Sequence, residues 1–339
     1  MPNLQPPITR LSALKPRERG TFFAKLAERT SSQTREGLPF YACKFRDARR
    51  VAAFMVWADN QFYDACHNNW QAGQLFKIHA VFNDHDKYGP QLDVIKIRPV
   101  EPRDEADGFD PADFQDRPKL DPAATLADLR ALIEAQIADE PLRRLVLGLI
   151  DRHAEKLKAI PAHPRAFYPF PGGWLEHVLS VARTSRWLAE RYSERYPDLR
   201  PPLNLDVVTA GAVLHDIGRA AELEPVDPDV PTEFTVDGRL FGHLFLGRDM
   251  VRDAAREQAD LNPELLRLVE HTIVSHLNHP EWGSPRLPLI PEVLILHHAD
   301  DLDAKMEMYA RCLTKDAGPG MFTERDPVLG RQLFKGREV

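Results

Sequence analysis

The chain has 339 residues, of which 43% are hydrophobic and 28% charged, and its formal net charge is −7. This length is enough for two ordinary domains, and the composition is that of a globular protein and excludes a disordered chain. No apolar run approaches the roughly 20 residues of a membrane span and the first residues lack the apolar core of a secretory signal, so we expect a cytoplasmic protein with no membrane partner.

The first half of the chain predicts a β domain. Residues 1–19 are interpreted as an N-terminal extension, and residues 20–102 contain short apolar stretches at 40–45, 51–57, 75–82 and 92–97. β-Branched and aromatic residues between Asp, Asn and Gly turns are typical of strands. Four or five such strands with no long helix between them predict a small barrel or sandwich.

The second half predicts a helical domain. Residues 103–122 are rich in Asp and Pro and predict a linker. From Thr125 the apolar period becomes helical, with further helical stretches near 174–195, 205–217, 241–258, 263–277 and 291–310. Residues 123–312 are therefore predicted to form one helical domain, followed by a C-terminal tail at 313–339.

Most of the histidines lie in this helical half, several of them beside carboxylates. The groups, in chain order, are His177 after Glu176, the pair His215-Asp216 at the end of an apolar helix, His243, His271, His276 and Asp300. Imidazole and carboxylate groups suit manganese, iron, cobalt, nickel or zinc, and helices that converge on one point can supply such ligands from a bundle interior. The three cysteines form no CxxC pair, which argues against a cysteine zinc site.

The adjacent pair His215-Asp216 has a specific use in such a site. Where a helix ends, both side chains can turn toward one cavity, and the carboxylate can bridge two metals. A two-metal site lowers the pKa of a bridging water and clamps the attacking and leaving oxygens of a phosphoryl transfer. A single histidine on an apolar helix is usually structural, but six such groups buried without a metal would be hard to satisfy.

The order His177, His215-Asp216, Asp300 resembles the HD superfamily of metal-dependent phosphohydrolases. Five segments narrow the resemblance: FPGGWLEHV at 170–178, LHDIG at 214–218, TEFTVDGRLFGH at 232–243, GSPRLP at 283–288 and DDLDAKM at 300–306. With the N-terminal β domain, they are similar to the YhaM family of 3′-to-5′ exoribonucleases over residues 20–312. The resemblance implies a small N-terminal OB-fold-like barrel that binds nucleic acid, followed by an all-α HD bundle.

The resemblance also implies the ligands and the cofactor. One metal would be held by His177, His215, Asp216 and Asp300, and Asp216 would bridge to a second metal supported by His243 and His276. We expect one or two divalent ions, manganese first, with cobalt, iron, nickel, zinc or magnesium as alternatives. His297, His298 and Asp303 flank Asp300 and are candidates to orient these ligands.

Two further residues are predicted to act on the substrate. Arg219 would neutralise developing charge at a place where the superfamily often has Lys. Lys305 would reach a substrate phosphate, an ordinary ion pair being the alternative. A second departure is Leu277-Asn278, where the related exonucleases read His-Gly. Residues 161–165 either border the mouth of the site or simply connect two helices.

The β half predicts a nucleic-acid surface. Lys44 and Arg46, with Arg49 and Arg50, cluster near the first strand pair and could follow phosphates. Trp57 and Phe62, with Tyr63 and Trp70, could stack on bases, although aromatic residues at alternate strand positions usually belong to the core.

The predicted function is a metal-dependent 3′-5′ exonuclease acting on single-stranded RNA or DNA, in which a metal-activated hydroxide attacks the phosphodiester. Two alternatives stay open at this stage. One is an HD-type phosphohydrolase of free nucleotides, and the other is a non-catalytic OB-fold protein with a vestigial HD site. A homo-oligomer is possible in each case.

Overall fold

The computed structural model describes residues 8–34, 36–47, 50–85, 89–114, 119–224, 232–316, 320–323 and 325–336. The chain divides into two compact units, one made of Met1–Asp116 with Ala310–Val339 and the other of Arg117–Tyr309. Strands build the first unit and helices the second. The change from strand to helix therefore occurs where the apolar period changes in the sequence.

The first unit is a closed barrel of five strands. These are β1 (Arg19–Gln33), β2 (Pro39–Arg46), β3 (Val51–Trp57), β4 (Leu75–His85) and β5 (Gly89–Pro99). Their order around the barrel is β1-β2-β3-β5-β4, and a short helix, α1 (Tyr63–Asn69), connects β3 to β4. A five-stranded barrel of this kind is an OB-fold, so the predicted barrel is confirmed.

Alternate residues of the strands fill the barrel. On β4, the residues Phe76, Ile78, Ala80 and Phe82 are buried, while the residues between them face outward, as the two-residue period of a strand requires. Trp70 lies in the same core with 4% of its surface exposed. Of the aromatic residues considered for base stacking, Trp70 is therefore a core residue.

Residues of the predicted extension and of the predicted linker contribute to the barrel unit. Leu11 and Leu14 are buried in the barrel core. In the predicted linker, the buried carboxylate of Asp104 accepts two hydrogen bonds from Arg98 at 2.7 Å and one from Lys77 at 3.2 Å. Such a paired buried carboxylate holds the segment in place, and the Asp- and Pro-rich composition did not reveal it.

Nine helices are described in the second unit, the last of which continues past its boundary. They are α2 (Pro122–Gln136), α3 (Glu140–Arg152), α4 (Ala154–Ala159), α5 (Gly173–Arg195), α6 (Leu205–Leu214), α7 (Arg219–Glu222), α8 (Val236–Ala255), α9 (Pro263–Ser275) and α10 (Pro291–Lys315), with a two-stranded hairpin of β6 (Leu223–Glu224) and β7 (Glu233–Phe234). No helix of the described ranges is long and apolar enough to cross a membrane. Helix α8 begins before the predicted residue 241 because the Thr235 side chain caps it by accepting the Gly238 N–H.

Helix α6 lies inside the helical unit. Every residue from Val207 to Leu214 is buried, and a helix that is apolar on all sides belongs in an interior. The apolar stripes predicted on α2 and α3, which include Leu129 and Leu145, are buried in the same cluster. The end of α6, where His215 and Asp216 follow, is therefore placed in the centre of the bundle.

Candidate metal centre and nucleic-acid surface

Five helices bring the six predicted ligands to one place. His177 lies early in α5, His215 and Asp216 follow α6, His243 lies on α8, His276 follows α9, and Asp300 lies on α10. Four of these residues are at most 3% exposed: His177, His215, Asp216 and His276. The site is therefore an interior site, in which an unpaired polar atom is costly.

The donor atoms lie close together around two carboxylates. Oδ1 of Asp300 lies 3.1 Å from Nε2 of His177 and 3.8 Å from Nε2 of His215. Oδ1 of Asp216 lies 3.1 Å from Nε2 of His243 and 3.9 Å from Nε2 of His276. The two carboxylates are thus each surrounded by imidazole nitrogens from other helices.

Three overlapping groups of three residues could each hold one ion. They are His177, His215 and Asp216; His215, His276 and Asp300; and Asp216, His243 and His276, with the donor atoms of each group within 4.8 Å of one another. His215 or Asp216 belongs to every group. The pair at the end of α6 therefore connects the whole set.

If the protein itself supplied a hydrogen-bond partner for every one of these atoms, a metal would not be needed. It does not: among the described residues, four buried side-chain atoms of the set have no hydrogen-bond partner, namely Nε2 of His177, Nε2 of His215, Oδ1 of Asp216 and Nε2 of His243. Buried polar atoms normally have a partner. Nitrogen and carboxylate oxygen are suitable ligands for a divalent transition metal, so the residues fit such an ion.

The opposite side of each imidazole ring is held by the protein. Nδ1 of His215 donates to the carbonyl of Ala212 at 2.8 Å, and Nδ1 of His276 donates to the carbonyl of Ile273 at 2.9 Å. A carbonyl oxygen only accepts, so Nδ1 carries the hydrogen and Nε2 keeps its lone pair. This arrangement presets both rings as metal ligands.

Glu222 ties together two other members of the site. Its Oε2 accepts from Nη1 of Arg219 at 2.6 Å, and its Oε1 accepts the backbone N–H of His243 at 3.0 Å. Arg219 also reaches Oδ2 of Asp216 with Nε, at 3.4 Å. Glu222 is 4% exposed, and it was not predicted from the sequence because a Glu on a short helix belongs to no ligand pattern.

Two glycines allow the helices to come this close. A Cβ at Gly218 would collide with the carbonyl oxygen of His243 and lie 2.6 Å from the backbone nitrogen of Gly247. Gly242 has φ 72° inside α8, a left-handed conformation that favours glycine, and the helix kinks there. The kink leaves the His243 N–H without a helical acceptor, and Glu222 accepts it.

The neighbours of the two carboxyl groups keep them ionised. Burial raises the pKa of Asp216, but Arg219 and His243 outweigh burial and hold this pKa well below its usual value. Burial acts in the same direction on Asp300, yet the contact with His177 helps to lower the pKa of Asp300 to about 2. Two carboxylate charges are therefore available to a cation at neutral pH.

The imidazoles differ in protonation before an ion arrives. Burial, with help from His215, lowers the pKa of His276 to about 3, so this ring is neutral. Burial also lowers the pKa of His177, but Asp300 and Asp303 outweigh it and raise this pKa to about 10. A metal that binds His177 must therefore displace a proton.

Two of the three predicted flanking residues, Asp303 and His297, lie behind the ligands. Asp303 Oδ2 accepts from Nδ1 of His177 at 2.9 Å. Nδ1 of His297 donates to the carbonyl of His276 at 2.8 Å, whereas His298 is exposed and its ring lies 5.0 Å from that of His297. His271 lies apart from the donor set, since its Nε2 accepts the Leu289 N–H at 3.0 Å.

The segment 161–165 lies beside the centre. Nδ1 of His163 accepts the backbone N–H groups of Arg165 and Ala166 at 3.0 and 2.9 Å. Burial, followed by the charge of Arg219, lowers the pKa of His163 to about 4. The Phe167 ring, just beyond, lies 5.0 Å from that of His177. The segment connects α4 to α5, and the effect of Arg219 on His163 is consistent with a position at the border of the site as well.

Lys305 and the pair Leu277-Asn278 contribute no atom to the donor set. The Lys305 ammonium pairs with Asp301 at 2.6 Å and lies 5.6 Å from the centre of the Trp282 ring, and neither partner belongs to the donor set. Asn278 has φ 60°, which Asn tolerates better than most residues other than Gly. The replacement of Gly by Asn is therefore compatible with the turn, and Leu277 supplies no donor.

The predicted nucleic-acid residues fall on two sides of the barrel. Lys44 forms an ion pair with Glu28 at 2.8 Å, and Trp57, 44% exposed, packs on Phe40 with ring centres 4.7 Å apart. Arg46 is half-buried on β2. Phe62 is half-buried and packs on Phe54 instead.

The other two arginines of the predicted cluster add little to this surface. Arg49 lies outside the described residues. Arg50 uses Nη1 to donate to the carbonyls of Leu11 and Leu14.

Residues 174–305 match the family model described as the HD domain. Among solved structures, a domain of replication protein A from Methanococcus maripaludis aligns with 28% of this chain and 96% of its own, with a TM-score of 0.23 and 14% identity.

Three relatives, each a 3′-5′ exoribonuclease YhaM, match over most of the chain. The 3′-5′ exoribonuclease YhaM of Shouchella clausii is 31% identical over 240 residues, 71% of each chain. That of Bacillus subtilis is 31% identical over 240 residues, 71% of this chain and 72% of its own. That of Oceanobacillus iheyensis is 30% identical over 315 residues, 92% of each chain.

Proposed function

Because the chain belongs to the YhaM family of 3′-5′ exoribonucleases, we propose that it is a metal-dependent exonuclease that shortens single-stranded RNA from its 3′ end. The observation that carries the proposal is the convergence of four buried donor atoms that lack a partner among the described residues. A divalent ion bound there supplies a Lewis acid that stabilises the charge developing on a phosphodiester.

The ligand assignment is part of this proposal. His177, His215, Asp216 and Asp300 would hold one ion, and Asp216 would reach toward a second ion with His243 and His276. Support comes from the three groups of donor atoms, each within 4.8 Å. The lone pairs of His215 and His276 face the centre because carbonyl oxygens hold their Nδ1–H groups.

Arg219 and Lys305 have different support as substrate contacts. Arg219 is 8% exposed and connects Asp216 to Glu222, so it balances two carboxylate charges and orients Asp216. We propose in addition that Arg219 neutralises the charge developing on the substrate phosphate. Lys305 stays a predicted phosphate contact, with Asp301 as its present partner.

Metal identity, substrate and location are the finer parts of the proposal. Mixed imidazole and carboxylate ligands support manganese, with cobalt, iron, nickel, zinc and magnesium as rivals. RNA and the 3′ direction are supported by the relatives, which are 3′-5′ exoribonucleases. With RNA as substrate we propose a cytoplasmic location; a homo-oligomer stays a prediction.

Neither alternative from the sequence is favoured by a specific observation. A vestigial site would be expected to have lost donors, but the four predicted imidazoles all lie around the two predicted carboxylates. A phosphohydrolase of free nucleotides would not explain the similarity to exoribonucleases. One such relative matches over 92% of both chains.

The test uses one single-stranded RNA and one DNA of the same sequence, labelled at the 5′ or the 3′ end. Each is incubated with the protein and manganese, magnesium, cobalt or a chelator. We expect a shrinking ladder from the 5′-labelled RNA, immediate mononucleotide release from the 3′-labelled RNA, and no reaction with chelator. Intact strands with every metal, together with hydrolysis of free nucleotides, would establish the alternative enzyme.

A further inference from the structure

The outer surface of β1, β4 and β5 carries two rows of neighbouring side chains. Cross-strand pairing puts Thr21 beside His79 and His79 beside Lys96. The next row joins Phe23, Lys77 and Arg98 in the same way. The residues between the rows, such as Phe22 and Ile78, point into the core. Both rows therefore point away from the barrel core, on strands other than β2 and β3, which carry Lys44 and Trp57. Phe23 is nevertheless buried, since the Phe109 ring lies 5.0 Å from its own.

An irregularity in pairing makes a groove on this surface. The register between β4 and β5 shifts between His79 and Ala80, where Ile95 is the extra residue of β5. Such a bulge re-aims side chains, and both Ile95, 37% exposed, and Lys96 lie on the surface. The cavity here has a volume of about 720 Å³, and its lining includes Thr21, Phe62, His79, Ile95 and Lys96.

The two rows differ in whether their cations are already paired. Lys77 and Arg98 both bind the buried carboxylate of Asp104. Lys96 has no ion pair with any residue in the described ranges. Nδ1 of His79 is engaged with the Thr21 hydroxyl at 2.8 Å, so Nε2 is the ring atom left for a ligand. The row of Thr21, His79 and Lys96 is therefore the one that can receive an anion.

On the opposite surface, Arg46 has no ion pair among the described residues but is half-buried on β2, and the other two described cations of the predicted cluster are already engaged. Lys44 is paired with Glu28, and this contact lowers the pKa of the Glu28 carboxyl. Arg50 is engaged by backbone carbonyls. Exposed Trp57 offers a stacking surface there, but a strand needs phosphate partners as well as stacking.

We propose that the groove on β1, β4 and β5 binds single-stranded RNA, with a phosphate on Lys96 and His79 and a base against Phe62 and Ile95. This deepens the proposed function and rests on it for the choice of RNA. The occupant is an anion with an apolar face, because an unpaired ammonium lies beside a half-buried ring and an exposed isoleucine. A nucleotide unit of a strand combines both properties.

The experiment measures binding without hydrolysis. The full chain is titrated, with chelator present, into a 5′-fluorescent 20-nucleotide RNA at several salt concentrations, and anisotropy gives Kd. Lys96→Glu is compared with Lys15→Glu, a matched charge reversal at an exposed lysine outside the groove, and with Lys44→Glu on the other surface. Thermal unfolding checks that each variant is folded.

We expect Lys96→Glu to weaken binding at least about fivefold and to lower the log–log salt slope by roughly 0.7, the value for one single-strand phosphate contact. Lys15→Glu should change Kd less than about twofold, and Lys44→Glu less than Lys96→Glu. A Kd for Lys96→Glu within twofold of wild type, or an equal or larger effect of Lys44→Glu, overturns the proposal. Wild-type protein that binds RNA through Lys96 but shortens no RNA with any metal contradicts the exonuclease instead.

Discussion

Nδ1 of His177 donates to Oδ2 of Asp303 at 2.9 Å, and the other oxygen of this carboxylate accepts the hydroxyl of Ser180. Asp303 thus fixes the ring from behind while Nε2 faces the donor set. A carboxylate in this position orients a metal-bound imidazole and raises its basicity. Asp303 lies on α10 with Asp300, so one helix supplies both a ligand and the group that orients another ligand.

Asp303→Asn should weaken manganese binding by roughly 10- to 100-fold, the range for loss of such a supporting group. The amide is neutral, so the imidazole loses its ionic partner. Calorimetric titration of the metal-free protein measures the change. Asp301→Asn is the matched control, because Asp301 pairs with Lys305 outside the donor set. Equal affinities for the two variants would remove Asp303 from the site.

His215→Ala and Asp216→Asn should each lower bound metal and slow RNA shortening by at least about 100-fold, since every donor group includes one of these residues. Elemental analysis after gel filtration and the end-labelled RNA assay provide the two measurements. His271→Ala is the control on α9, where the ring serves Leu289 instead. Undiminished hydrolysis by either site variant would place the chemistry elsewhere.

Glu222→Gln should reduce both activity and stability. The substitution removes the charge that Arg219 and the His243 N–H share, and loss of a buried charged acceptor costs on the order of 1–3 kcal/mol. We expect a lower thermal midpoint and about tenfold slower hydrolysis at saturating manganese. Glu224→Gln, at an exposed position two residues on, controls for the loss of one carboxylate. A normal rate in Glu222→Gln would show that Arg219 and His243 need no such support.

Metal affinity should rise with pH between about 6.5 and 9. Without an ion, the pKa of His177 is raised to about 10, so this ring holds a proton throughout the interval and the metal must displace it. One displaced proton gives up to about a tenfold gain in affinity per pH unit. Titration in two buffers of different ionisation enthalpy counts the protons released. Affinity that is independent of pH would contradict the assignment of His177 as a ligand.

Much of the fold was predictable because the period of apolar residues differs between the two halves of the chain. A period of two in residues 20–102 predicted the barrel, and stripes such as Leu142, Leu145 and Leu149 predicted the helices around a buried core. The boundaries of the barrel unit were harder to predict. Leu11 and Asp104 lie in segments with no period, and what holds them is the barrel core and the two cations of Arg98 and Lys77.

The candidate ligands were recognisable because imidazole and carboxylate groups within apolar helices are conspicuous, as at His177 and Asp216. Glu222 was not recognisable in this way. Its position depends on the kink at Gly242 and on the close approach that Gly218 allows. Neither feature produces a recognisable spacing in the sequence. Glu222 therefore looks like an ordinary surface glutamate when the sequence is considered alone.

The sequence by itself determined the chemical types: a β barrel, an all-α bundle, and a set of histidines and aspartates able to hold a divalent cation. The period of apolar residues and the chemistry of side chains are local properties, so the amino-acid sequence alone is enough to recognise them. Only the tertiary structure decided which atoms face the centre, which carboxylate orients which ring, and which cations of the barrel are already paired. Those outcomes depend on distances between residues far apart in the chain, such as Asp216 and His243 at 3.1 Å, and packing alone sets them.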